Sequence, residues 1–152
     1  TFNMIIGREG LTLRDKWQQE GTKTFLGLHS EGFPNLFIVS GPQGGGGSFN
    51  FTNAIEEHGD YVVWMLSTMR DKGADIVDVK SETEEEYAAH CRQADQLTRP
   101  LRDCITYYNG HGEAEPGSLA YYGGGNWHKF RSRAQQTLDP YEFESRSHIV
   151  DR

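Results

Sequence analysis

The stretch FPNLFIVSGPQGGGGSFNFTNAIEEH, residues 33–58, limits the fold more than any other part of this chain. An apolar run, Leu36–Ser40, meets Gly41-Pro42 at once and then four glycines, Gly44–Gly47. Such a stretch neither continues a strand nor starts a helix: fixed glycines lose the most backbone freedom, and proline lacks a donor. Beyond it Phe51, Ala54, Ile55, His58, Val62, Met65, Leu66 and Met69 recur at three- and four-residue spacings, the pattern of an amphipathic helix. Ser48 or Asn50 can cap its start, and Lys72-Gly73 supplies a basic last turn and a C-cap. A short apolar run bounded by turn residues reads as a buried strand. The sequence therefore predicts strand, glycine turn and helix in direct succession.

That succession is a cradle for an anion or a cofactor, because exposed N–H groups and the positive end of the helix dipole converge there. Two named phosphate motifs fail. No lysine follows Gly47, so there is no Walker A loop, and neither Gly41 nor Gly44 opens a GxGxxG fingerprint. A plain tight turn between strand and helix needs fewer glycines than four and a proline. Close approach of a cofactor to bare backbone is the favoured reading.

The rest of the chain fits an α/β class. Thr24–Leu28 and Ala74–Lys80 read as strands, and a turn at Gly32–Asn35 precedes the apolar run. Ser81 with Glu84 forms a capping-box pattern ahead of a second helix, which Pro100 ends or redirects. From Asp103 the chain turns rich in Tyr, Gly, Asn and Trp, as an extended wrap over another surface would be, before a last helix near Trp127–Gln136. Tyr107, Tyr108, Tyr121, Tyr122 and Trp127 suit surface packing and a platform for a planar ligand equally well.

A net charge of −7 argues against a nucleic-acid partner or an anionic membrane, and no run is long and apolar enough to span a bilayer. Cys91 and Cys104 lack CxxC spacing and read as reduced thiols; with no signal peptide visible, a cytoplasmic protein is expected. The six histidines form no HExxH or other metal pair, so no metal is expected. His58 reads as a core histidine, Ser81–Tyr87 as a solvated helix start, and His111–Glu113 as a loop, since no GxSxG nucleophile accompanies it. The opening TFNMIIGREG has neither a start methionine nor a leader and reads as the interior of a longer polypeptide.

The segments GLTLRDKW, TFLGLHSEGFPNLFIVSGP, FNFTNAIEEH and YYGGGNWHKFR resemble the C-terminal portion of type I Baeyer–Villiger monooxygenases, in the flavin-containing monooxygenase superfamily. The similarity runs to about Phe143, and the tyrosine-rich region looks closer to the subgroup acting on bulky ketones. It implies an FAD- and NADPH-dependent enzyme that uses molecular oxygen to turn ketones into esters or lactones. It also implies that both dinucleotide-binding fingerprints lie in a missing N-terminal part of the same enzyme, so that this segment alone is inactive and contains no catalytic residue. On this resemblance residues 1–73 carry the last strand of the FAD domain with the active-site loop and helix. Residues 74–152 form an extension over the cofactor and substrate site. Gly41 and Pro42 would lie against the flavin, with Asn50 and Phe51 near its pyrimidine edge, where a helix start favours negative charge on reduced flavin. Gly45, Gly46, Gly47, Ser48 and Phe49 would line the ketone pocket. Gly46 and Gly47 replace larger residues of relatives, which leaves room for a bulky substrate. Tyr107 would stand where relatives carry a tryptophan against the nicotinamide ribose. Two alternatives stay open: a stand-alone or truncated non-catalytic domain, and a hydroxylating or N-oxidising flavin monooxygenase.

Overall fold

The computed structural model describes residues 4–44, 50–95 and 126–145. Its elements run α1 (Leu13–Glu20), α2 (Phe51–Lys72), β1 (Ile76–Val79), α3 (Ser81–Asp95), α4 (Asn126–Thr137) and β2 (Tyr141–Glu144). The result mixes helix with a small sheet, in which β1 and β2 pair antiparallel with Val77 opposite Phe143 and Val79 opposite Tyr141. Among the described residues no helix is long and apolar enough to cross a membrane.

The longest helix follows its sequence signals closely. The Asn50 side chain accepts the Thr52 N–H at 3.0 Å, and Gly73 closes the far end in the left-handed conformation at φ 62°. The buried stripe is Ala54, His58, Tyr61, Met65 and Met69. Tyr61 sits at its centre, whereas Phe51, Ile55 and Leu66, expected inside, are exposed. A helix buries only the face its neighbours cover, and here that face is rotated away from these three residues.

Around Tyr61 the core draws on Phe25, Leu28, Val77, Tyr87, Trp127 and Tyr141, so one buried cluster takes in residues on both sides of Gly73. The Tyr61 and Tyr141 hydroxyls meet at 2.6 Å within it. Cys91 is buried in the same cluster, and burial pushes its thiol up to about 12, leaving it unreactive; Cys104 lies outside the described residues.

Two expected strands are not strands. Thr24–Leu28 belongs to a buried tight loop that turns through left-handed Leu26 (φ 58°) and Gly27 (φ 70°), closed by paired hydrogen bonds between Phe25 and His29. Leu36–Ser40 forms no ladder. Its Ile38 N–H reaches the Leu28 carbonyl at 2.8 Å, but Val39 is exposed and the run as a whole is not buried. A strand exists only beside another strand, and among the described residues none lies along this one.

The outer edge of β1 is met instead by one residue. Asn35, left-handed at φ 60°, donates its N–H to the Val77 carbonyl and accepts the Val77 N–H through Oδ1, both at 2.9 Å. Its side-chain amide also donates to the Asp75 carbonyl at 3.0 Å. β2 alternates aromatics with glutamates, a strand pattern that is only four residues long.

The capping-box expectation is corrected as well. The first turn of α3 bonds to the Lys80 carbonyl, from the Thr83 and Glu84 N–H groups at 3.1 and 3.0 Å. Glu84 turns inward rather than back to Ser81, and is 3% exposed. It accepts from Lys16 Nζ at 2.8 Å, from the Glu31 N–H at 2.9 Å and from Ser30 Oγ at 3.1 Å. Lys16, itself 1% exposed, also donates to the Glu31 carbonyl at 2.7 Å. Every charge in this cluster is met, which is what makes burial of an ion pair tolerable.

Removing one partner strands the other. Lys16→Met is expected to destabilise the fold by about 3–5 kcal/mol, and Lys16→Met/Glu84→Leu by much less; chemical denaturation checks the ordering. His29 gives a pH prediction. Ringed by Phe37, Tyr61 and Tyr141, it is held neutral by burial down to about 3. A depressed pKa contributes stability above the ordinary value of 6.5 that is lost as pH falls toward 3. Melting temperatures should drop across that window, and less steeply in His29→Phe.

Candidate functional site

The turn that the sequence singles out is built from residues 40–44. Ser40 (φ 58°) and Gln43 (φ 64°) are left-handed, and the Gly41 and Gly44 N–H groups donate to the Ile38 and Gly41 carbonyls at 3.1 and 3.0 Å. Two of the glycines are required by the chain's own packing. A Cβ on Gly41 would lie 2.4 Å from the Gly27 carbonyl oxygen, and one on Gly44 would lie 2.9 Å from His58 Cε1 and 3.0 Å from Gly27 Cα. From the other side, a Cβ on Gly27 would fall 2.1 Å from Gly44 Cα. Backbone rests directly on backbone here, a contact that glycine alone allows.

Polar side chains tie the turn down. Gln43 is buried: Oε1 accepts the Thr24 N–H at 3.0 Å, and Nε2 donates to the Thr22 carbonyl at 3.2 Å. Thr24 Oγ1 donates to the Pro42 carbonyl at 2.8 Å, and Tyr87 Oη on α3 donates to the Gln43 carbonyl at 2.9 Å. His58 Nδ1 on α2 accepts the Ser40 N–H at 3.0 Å. Burial lowers the pKa of His58, against a smaller raising effect of a hydrogen bond with the Gly44 backbone. Trp127 is buried, stacks on His58 at 5.5 Å and donates to the Leu26 carbonyl at 3.0 Å. Trp127 is packed within the core, rather than on the surface that one of the two readings expects.

Seven residues beyond Gly44, α2 begins. No acidic side chain occupies its first turn, so its positive end is uncompensated by its own sequence. Asn50 Oδ1 is engaged by Thr52 in the cap, and Phe51 is 67% exposed at the helix start. The structure thus brings Gly41 and Pro42 into one braced turn and leaves Phe51 open to contact at the mouth of α2. Gly45, Gly46, Gly47, Ser48, Phe49 and Tyr107 lie outside the described residues. Sequence reasoning missed Thr24, Gln43 and Tyr87 as braces. The one signal available was a glutamine set between Gly-Pro and a glycine run.

Gly27→Ala is expected to be severe, combining left-handed strain of about 1–2 kcal/mol with overpacking of about 1–3 kcal/mol. Gly10→Ala, equally left-handed at φ 79° but with open space beyond it, should show the strain alone. Denaturation midpoints of the two variants check the difference.

No family model matches the chain. A Baeyer–Villiger monooxygenase of Streptomyces coelicolor is 34% identical over 140 residues, which is 89% of this chain and 23% of the relative. The polycyclic ketone monooxygenase of Thermothelomyces thermophila superposes with a TM-score of 0.75 at 26% identity, over 93% of this chain and 24% of that one. An oxidized steroid monooxygenase bound to NADP shares the fold, with a TM-score of 0.78 at 24% identity over 92% of this chain and 26% of its own. The chain spans about a fifth of the length of the curated relatives it matches. With these matches over nearly its whole length, it belongs to the Baeyer–Villiger monooxygenase family.

Proposed function

We propose that this chain is the C-terminal part of an FAD- and NADPH-dependent monooxygenase that converts ketones to esters or lactones. The overall reaction takes ketone, O₂, NADPH and a proton to ester, water and NADP⁺. The similarity over 89% of the chain to a Baeyer–Villiger monooxygenase carries this reading.

The residues present fit a flavin in two respects. The start of α2 carries no carboxylate to oppose an anionic ring, and Phe51 presents an exposed apolar face there. Gly41, Pro42, Asn50 and Phe51 would hold the isoalloxazine, Gly45–Phe49 would line the ketone pocket, and Tyr107 would meet the nicotinamide ribose. Bound flavin supplies the oxygen chemistry, for which no side chain of this chain is an obvious substitute. What these residues contribute is placement. The turn is braced from Thr24, Tyr87 and His58, and the N–H groups at the helix start favour negative charge nearby. Residues 1–73 would supply this cofactor-facing surface and 74–152 the layer packed over it. A bulky cyclic ketone, steroid-like or polycyclic, fits a pocket wall made of glycine.

The test is product analysis. Full-length polypeptide carrying this segment, supplied with FAD, NADPH and a panel of cyclic ketones, should consume NADPH and yield lactones one oxygen heavier than the substrate. Exclusive hydroxylation or N-oxidation would overturn the reaction, and failure to bind flavin would overturn the enzyme.

A further inference from the structure

One imidazole joins the second turn of α2 to both ends of the turn before it. His58 is 1% exposed, accepts the Ser40 N–H at Nδ1 and packs its Cε1 against Gly44, where an added Cβ would lie only 2.9 Å away. Accepting at Nδ1 places the proton of the neutral ring on Nε2. The ring cannot slide. Trp127 stacks on it with planes 29° apart, and Gly44 leaves no space for even a Cβ beside Cε1. Trp127 is anchored in turn by the Leu26 carbonyl and covered by the Arg131 guanidinium, 5.4 Å from the ring centroid, which pairs with Glu57. Meanwhile Ser40 holds a left-handed conformation unfavourable for a residue with a side chain, and such a conformation persists only where the surroundings enforce it.

We propose that His58 is a positioning residue: as the neutral Nε2–H imidazole it ties the Ser40 end of the turn to α2 by a hydrogen bond and wedges against the Gly44 end by packing, and so sets where the turn stands relative to Asn50 and Phe51. A residue that merely filled the space would pack against Trp127 but leave the Ser40 N–H without an acceptor. Where the flavin is concerned the inference rests on the proposed function; the hold on the turn is a property of this chain alone.

The experiment uses the full-length polypeptide. His58→Phe keeps an aromatic ring against Trp127 and removes the acceptor, whereas His58→Asn puts Oδ1 near the position of Nδ1. Hydrogen exchange of peptides covering Leu36–Gly44 should quicken by about tenfold in His58→Phe, as expected for one lost buried hydrogen bond, and return close to wild type in His58→Asn. The dissociation constant for FAD should follow the same order. Histidine ¹⁵N spectra of the unsubstituted protein should give a neutral Nε2–H ring for His58, a readout that stands even if a variant fails to fold. A Nδ1–H ring, unchanged exchange in His58→Phe, or no rescue by asparagine would overturn the hold. Altered exchange with unaltered FAD affinity would overturn the positioning role. A protein that binds no FAD at all would refute the proposed function while the exchange data still decide the hold.

Discussion

Main chain rests directly on main chain where Gly27 meets Gly44. Gly27 lies against Gly44 so tightly that neither could carry a methyl group. The loop that contains Gly27 is sunk in the core, with Phe25, Leu26 and Leu28 all buried, while Gly44 ends the turn facing the start of α2. Seating one against the other therefore couples the innermost loop to the segment proposed to meet the cofactor. Aromatic rings from three helices, Tyr61, Tyr87 and Trp127, enclose the loop, and their polar tips are spent on hydroxyl or carbonyl partners rather than left bare.

Such close packing buries polar groups, and the chain answers Gln43 and Glu84 with partners from far along the sequence, while His29 Nε2 is buried without one among the described residues. Gln43 serves Thr24 and Thr22; Glu84 serves Lys16, Ser30 and Glu31. These bonds add modestly to net stability, but an unmet buried donor or acceptor costs about 1–3 kcal/mol. Their larger effect is to fix register: the loop cannot shift along the turn without breaking several bonds together.

What the sequence revealed follows from how local each signal is. The spacing from Ala54 to Met69, the Asn50 cap and Gly73 describe α2 because a helix is closed by neighbours along the chain. The same holds for the helix at Trp127 and for the strand inside Ala74–Lys80. Leu36–Ser40 misleads because apolar, β-rich composition describes only half of a ladder. Thr24–Leu28 misleads because left-handed Leu26 carries no compositional mark. α1 escapes notice because its buried face contains Lys16, a residue that hydrophobic patterning scores as surface. Its inward position makes sense only beside Glu84, 68 residues later. In the candidate site the glycines were visible and two of their reasons were not: Gly41 and Gly44 are bare partly for Gly27.

Asn35 has a further effect on the behaviour of the sheet. A two-stranded ribbon ordinarily offers two open rows of donors and acceptors, and open rows recruit other chains. By saturating both main-chain groups of Val77, this single asparagine plugs one row at its midpoint. Strand addition by another polypeptide along this edge of β1 is thereby hindered.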